Sequence, residues 1–254
     1  MVSEFHVGLQ KRMGQDVRPD LAVSSGLLKL VLEDISAIGA GPVSLERKRE
    51  LFGVCTYLVV TFCGSLRGNE GFMVDLDGLV RHLDLGREDK VPHVVVPLLG
   101  RFKNEIGERY HLILLANVTK SGLEVRRWVE GLVRMRAAEG RSIGPAFCDK
   151  HGGVVKSSVY EEEFFQSLER LQEAGCSLVD SGCVRDLYGL GRSLRRGAVS
   201  EARSRGVPED IVTLVNRWRT VERAKGGRPS MGMRDHYSDI RLLKGVLVKF
   251  SLAL

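Results

Sequence analysis

At Pro92 the chain changes its hydrophobic period. HVVVPLLGRFKN and ERYHLILLANV are two β-rich runs on either side of Asn104-Glu105-Ile106-Gly107. Apolar and β-branched runs around a short polar turn predict a β-hairpin. Val74–Leu76 is a further short apolar stretch and a candidate third strand. The long segments elsewhere carry helical spacing. The chain must therefore fold as α+β, mainly α: a helical bundle enclosing one small antiparallel β-sheet.

The helices follow from pattern and punctuation. Phe5–Met13 and Ser25–Ile38 carry the first two, the second ended by Gly-Ala-Gly-Pro at 39–42. Ser44 can cap the next, although Arg47 replaces the glutamate of a full capping box. That helix, LERKRELFGVCTYLVVTFC, is polar first and apolar later, so it should drive into the core and deliver Leu66-Arg67-Gly68-Asn69-Glu70 at its far end. Glu124–Ala138 and Val159–Glu173 are amphipathic, with Phe164, Phe165, Leu168 and Leu171 on one side of the latter. Leu187–Arg205 and Pro208–Val221 are separate helices, with Pro208 at a first helical position and Glu209 and Asp210 in the first turn. Ala224–Met233 is a Gly- and Arg-rich loop. Residues 1–40 are expected to lead into a single unit over 41–240, with 241–254 as an apolar tail.

No run is long enough to cross a bilayer, and MVSEFHVGLQKRMG lacks the apolar core of a secretory signal. Five cysteines at irregular spacing suit a reducing compartment, with Cys55 and Cys63 as core thiols. Cys148 and His151 have no second ligand pair at zinc spacing, so neither a metal nor another cofactor is expected. The net charge is +6, and arginines cluster at 126–127, 192–196, 203–205 and 217–219. Arginine forks match phosphate oxygens, so the composition points equally to a nucleic acid partner and to a plain solvated basic surface.

The most specific stretch is RSLRRGAVSEARSRGVPEDIVTLVNRW at 192–218, followed by DHYSD at 235–239. Fixed cations and a hydroxyl nucleophile are what metal-free phosphodiester chemistry requires. In order along the chain, R-x-x-E, a hairpin lysine, R-R-G, a tryptophan and a tyrosine resemble the catalytic domain of the tyrosine recombinase (phage integrase) family. The match runs from Ser65 to Asp239. The long interval from Trp218 to Tyr237, with ERAKG and HYSDI, is nearer to eukaryotic mobile-element members than to bacterial ones.

The resemblance implies a DNA breaking-rejoining fold and a role for each matched residue. Arg67 and Arg195 are the two catalytic arginines, and Glu70 supports the first. Lys103 is the hairpin lysine and general acid, Trp218 contacts the phosphate, and Tyr237 is the nucleophile. Arg192 occupies the place of the family's histidine. Arg196, Arg217, Arg219 and Lys120 are further DNA contacts. Cleavage would pass through a 3′-phosphotyrosine without metal or ATP. Double-stranded DNA is the implied partner, bound by a dimer or tetramer, and the protein would work inside the cell: in the nucleus of a eukaryote, or the cytoplasm and nucleoid of a prokaryote.

Each residue has a plainer alternative. Arg67 with Glu70 is an ordinary helix ion pair, Lys103 a solvated turn lysine rivalled by Lys120, Trp218 a core ring and Tyr237 a surface tyrosine. Their joint order favours the family. Two departures stand out. Arginine at 192 cannot accept the nucleophile's proton, as a histidine can; this keeps open a DNA-binding relic impaired in catalysis. Residues 1–40 are also too short for the family's separate N-terminal DNA clamp, so the chain is either a trimmed catalytic domain or a reduced protein. A topoisomerase of type IB is disfavoured because DHYSD lacks that family's Ser-Lys-x-x-Tyr.

Overall fold

The structure, a computed structural model, describes residues 20–100, 109–216 and 240–254, and the side chains of all but 109 and 240–246. The sequence-predicted helix Phe5–Met13, the hairpin turn at 104–107 and the loop Ala224–Met233 lie outside these residues.

Helix α1 (Ser25–Ala40) starts where the Ser24 hydroxyl accepts the Leu27 N–H at 3.1 Å. It buries Leu27, Leu28, Val31, Leu32 and Ile35. Helix α2 (Leu45–Cys63) is capped by Ser44, whose hydroxyl accepts the Arg47 N–H at 3.1 Å. Its N-terminal half is charged, and every residue from Val54 to Cys63 is buried. α2 is thus the axial element of the core. Around it, Tyr57 stacks on Phe72 at 4.4 Å and meets Phe147 and Tyr160 edge-on. Cys55 and Cys63 are buried on the same helix, as expected, and desolvation pushes the Cys55 thiol up to about 12.

Beyond α2 come α3 (Gly68–Gly71) and α4 (Leu76–His82). Strands β1 (His93–Gly100) and β2 (Arg109–Ala116) pair antiparallel from His93↔Ala116 to Gly100↔Arg109. The hairpin predicted at the change of period is present. The third strand is not: Val74 makes one isolated bridge to Leu98, and Leu76 already begins α4. Asp75 decides this, because its carboxylate accepts the Gly78 N–H at 2.9 Å and caps that helix.

Five more helices complete the described fold: α5 (Val125–Ala138), α6 (Ser157–Glu173), α7 (Val184–Leu187), α8 (Leu190–Ser204) and α9 (Glu209–Val215). The predicted helix from Leu187 begins three residues late because Tyr188 and Gly189 are extended. Pro208 is the residue before α9 rather than its first helical residue. The apolar tail forms a last helix, α10 (Ile240–Ala253), packed on β2, α8 and α9. Ser251 accepts the Ala116 N–H at 2.7 Å, and the Lys120 N–H donates to Leu252 O at 2.8 Å.

Many arginines lace these elements together. Arg136 is buried and donates to Ala146 O and Cys148 O, each at 3.0 Å, and to Glu139 at 2.9 Å. Arg126 reaches Asn117, Leu83 O and His93 O. Arg170 grips Asp34, and Arg185 holds Glu162 and Glu169 beneath its cation–π contact with Phe165. Arg203 pairs with Glu209 and Arg205 with Glu201.

Candidate phosphate-binding site

The candidate site is built on the turn that ends α2. Leu66 N–H returns to Thr61 O and Ser65 N–H to Phe62 O, both at 2.9 Å. This paired closure of a helix C-terminus needs one residue in the left-handed region, usually glycine. Ser65 takes it here, at φ 48°. The turn reverses the chain and sets Arg67 at the start of α3.

Glu70, on α3, folds back over that start. Its Oε2 accepts the Arg67 backbone N–H at 2.9 Å, and its Oε1 accepts Arg67 Nη1 at 2.9 Å. The R-x-x-E spacing therefore closes as a one-sided cap at the head of α3, in which the Glu70 carboxylate accepts both the Arg67 backbone N–H and its head group. Glu70 is buried, at 3% exposure, while a third of the Arg67 side chain stays open.

Arg195 arrives from α8. Leu194, Ala198 and Ala202 form the buried stripe of that helix, and Arg192 and Arg196 face solvent. Arg195 lies between these faces, so its guanidinium is drawn in. Its Nη1 stands 3.8 Å from Glu70 Oε2, and its Nη2 donates to the backbone carbonyl of Asn216 at 2.6 Å. The approach of α8 requires two glycines: Gly191 sits directly against the Gly68 backbone, and Gly197 against the Val23 carbonyl.

The structure thus brings together Arg67, Glu70 and Arg195. It places Arg192 elsewhere: its Nε lies 2.6 Å from Asp20 Oδ2, and the side chain is otherwise exposed. Arg196 is exposed on α8, and Lys120 is exposed in the loop that meets the end of α10. Lys103, Arg217, Trp218, Arg219 and Tyr237 lie outside the described residues. Reasoning from sequence missed Ser65, Asn216 and Asp20. The first two sit just before Leu66-Arg67 and Arg217-Trp218, and that adjacency was the available signal. Among the described residues no three His, Cys, Asp or Glu side chains gather as a metal-binding group. Nor is any described helix long and apolar enough to cross a membrane.

Chemically, two guanidinium groups on one buried carboxylate form a cationic pair whose geometry is set before any ligand arrives. Such forks suit the oxygens of a phosphate and the charge that develops on them during substitution at phosphorus.

The solved structures similar to this chain include complexes of a site-specific recombinase bound to its substrate. One is the pre-cleavage complex of XerH with its difH substrate, 15% identical, covering 82% of this chain and 49% of that one, with a TM-score of 0.47. Another is the XerH post-cleavage complex on palindromic difH, 14% identical, covering 90% of this chain and 53% of that one, with a TM-score of 0.48. The chain spans about half the length of these recombinases. No family model matches it, and comparison with curated proteins gives no match.

Proposed function

We propose that residues 41–240 form the catalytic domain of a tyrosine-type DNA strand transferase serving a mobile element. The observation that carries this reading is the meeting of Arg67 and Arg195 on the buried Glu70 carboxylate. Two arginines remote in sequence, each in the position the motif order assigns, converge in space.

In this reading the Tyr237 phenolic oxygen attacks the scissile phosphorus and gives up its proton to water, since Arg192 cannot accept it. The bond to the 5′ oxygen breaks as the 3′-phosphotyrosine bond forms. Lys103 delivers a proton to the departing 5′ oxygen. Arg67 and Arg195 neutralise the non-bridging oxygens in the transition state, where donors aimed at developing charge lower the barrier most. Trp218 donates its single indole N–H to the same phosphate. A 5′ hydroxyl from the same or another strand then attacks the phosphotyrosine and releases Tyr237. The work is done on duplex DNA, inside the cell, by a dimer or tetramer.

One observation favours a second reading, a DNA-binding relic. Arg192 stands where a proton acceptor belongs, and it is tied to Asp20. One experiment separates the two. A pool of nicked duplexes with randomised sequence, which lose the short cleaved fragment, is incubated with the protein at low salt and resolved on a denaturing gel. A covalent adduct that Tyr237→Phe abolishes establishes strand transfer. Retained duplex binding with no adduct at any pH leaves the relic, and no binding removes both.

A further inference from the structure

The two arginines are joined on a second side, away from Glu70, by a pair of residues outside the motif. Asn216 is completely buried and sits immediately after α9. Its backbone carbonyl takes Arg195 Nη2 at 2.6 Å. Its side-chain Oδ1 takes the Ser65 hydroxyl at 2.8 Å, and its Nδ2 donates to Val212 O at 2.8 Å. Both amide nitrogens of this residue are therefore tied to Val212 O on α9, while its two oxygens reach out to α8 and to the turn after α2.

Ser65 makes the arrangement specific. Among the described residues it is the non-glycine residue with a left-handed backbone. Glycine would close the same turn without steric strain. A serine there keeps the strain and supplies one thing glycine lacks, a hydroxyl. That hydroxyl is buried and spent on Asn216. Two residues further on is Arg67.

We propose that Asn216, with Ser65 as its anchor, is a positioning residue that sets the distance between Arg67 and Arg195 and so the width of the phosphate site. The inference deepens the strand-transferase reading and rests on it. Glu70 clamps the two guanidinium groups from one side; the Ser65–Asn216–Arg195 chain of bonds spans the other. Asn216 itself touches no substrate. It acts through the carbonyl it presents to Arg195, and the hydroxyl of Ser65 keeps that carbonyl aligned with the turn that bears Arg67.

The test compares Asn216→Ala and Ser65→Gly with wild type and Arg195→Ala, at a temperature well below every melting point. Ser65→Gly removes the hydroxyl together with the Cβ that strains the left-handed backbone, so it stays folded even where Asn216→Ala does not. Adduct formation is measured on a phosphodiester and on a methylphosphonate at the scissile position. The methyl group removes one of the charges that the arginines neutralise. On the phosphodiester both variants should lose about tenfold or more in rate, as misplaced groups do. On the methylphosphonate the loss should shrink towards that of an uninvolved substitution. An equal loss on both substrates assigns the two residues a merely structural role and overturns the proposal.

A second measurement does not need turnover. Duplex affinity is followed against salt, where each lost phosphate contact reduces the slope of log K on log salt by about 0.9. Asn216→Ala and Ser65→Gly should lower the slope by the same single step as Arg195→Ala. An unchanged slope overturns the proposal even if wild type cleaves. If wild type forms no adduct but the slopes shift together, strand transfer fails and the positioning role stands.

Discussion

Gly191 lies against the backbone of Gly68 with no side chain between them: a Cβ on Gly191 would come within 2.2 Å of both the Gly68 nitrogen and Cα. The first turn of α8 therefore rests directly on the turn that carries Arg67. Gly191→Ala should push the two apart, destabilise the fold by about 1–3 kcal/mol as overpacking does, and widen the spacing of Arg67 and Arg195. Denaturant unfolding and duplex affinity measured on one preparation check this. Unchanged stability would mean that α8 can shift without cost.

Arg192→His should introduce a pH dependence. An imidazole accepts a proton only when neutral, so adduct formation should rise with pH through about 6.5 and then level. Loss of the pairing with Asp20 should cost no more than about 1 kcal/mol, because most of the Arg192 side chain is exposed. A flat profile from pH 5.5 to 8 would show that position 192 takes no part in moving the nucleophile's proton.

Lys103→Ala should slow cleavage of an ordinary duplex by about a hundredfold or more, the usual contribution of a general acid. A duplex with sulfur in place of the bridging 5′ oxygen should restore most of that rate, since a thiolate leaves without being protonated. Failure of the sulfur substrate to rescue would remove Lys103 from the role, and Lys120 would be the next lysine to test.

The cysteines should separate by accessibility. Cys183 is exposed and should react first with an aromatic disulfide at pH 8, followed by half-buried Cys176. Burial raises the Cys55 thiol to about 12 and the Cys63 thiol further still. Almost no thiolate is then present at pH 8, and the thiolate is the reacting form. Cys148 is buried as well, so three thiols silent until denaturant is added would match; rapid loss of all five would show that α2 does not stay buried.

The helical periods, the change at Pro92 and the Ser44 cap were legible because each depends on residues close in sequence. So was the Arg67–Glu70 pair, whose three-residue spacing closes within one turn. Asn216 was not. Its role comes from a bond to Ser65, 151 positions away, and no local rule connects a serine after a glycine with an asparagine before an arginine. The partner of Arg192 was hidden for a related reason. The motif order puts it beside Arg195, but α8 turns it outward to Asp20, on a segment that sequence reasoning left without a function. The third strand was lost to a single local competitor, the cap at Asp75.

The lacing of arginines to carboxylates changes how the molecule looks to DNA from afar. An arginine locked to a glutamate presents a dipole, and the field of a dipole fades faster with distance than that of a lone charge. A duplex approaching from beyond about 10 Å, the screening length in ordinary salt, would feel the excess of six positive charges and little of the 38 basic side chains. Capture at long range should then be mild and indiscriminate, and the correct alignment would be chosen only after contact, while the duplex is already sliding over the surface.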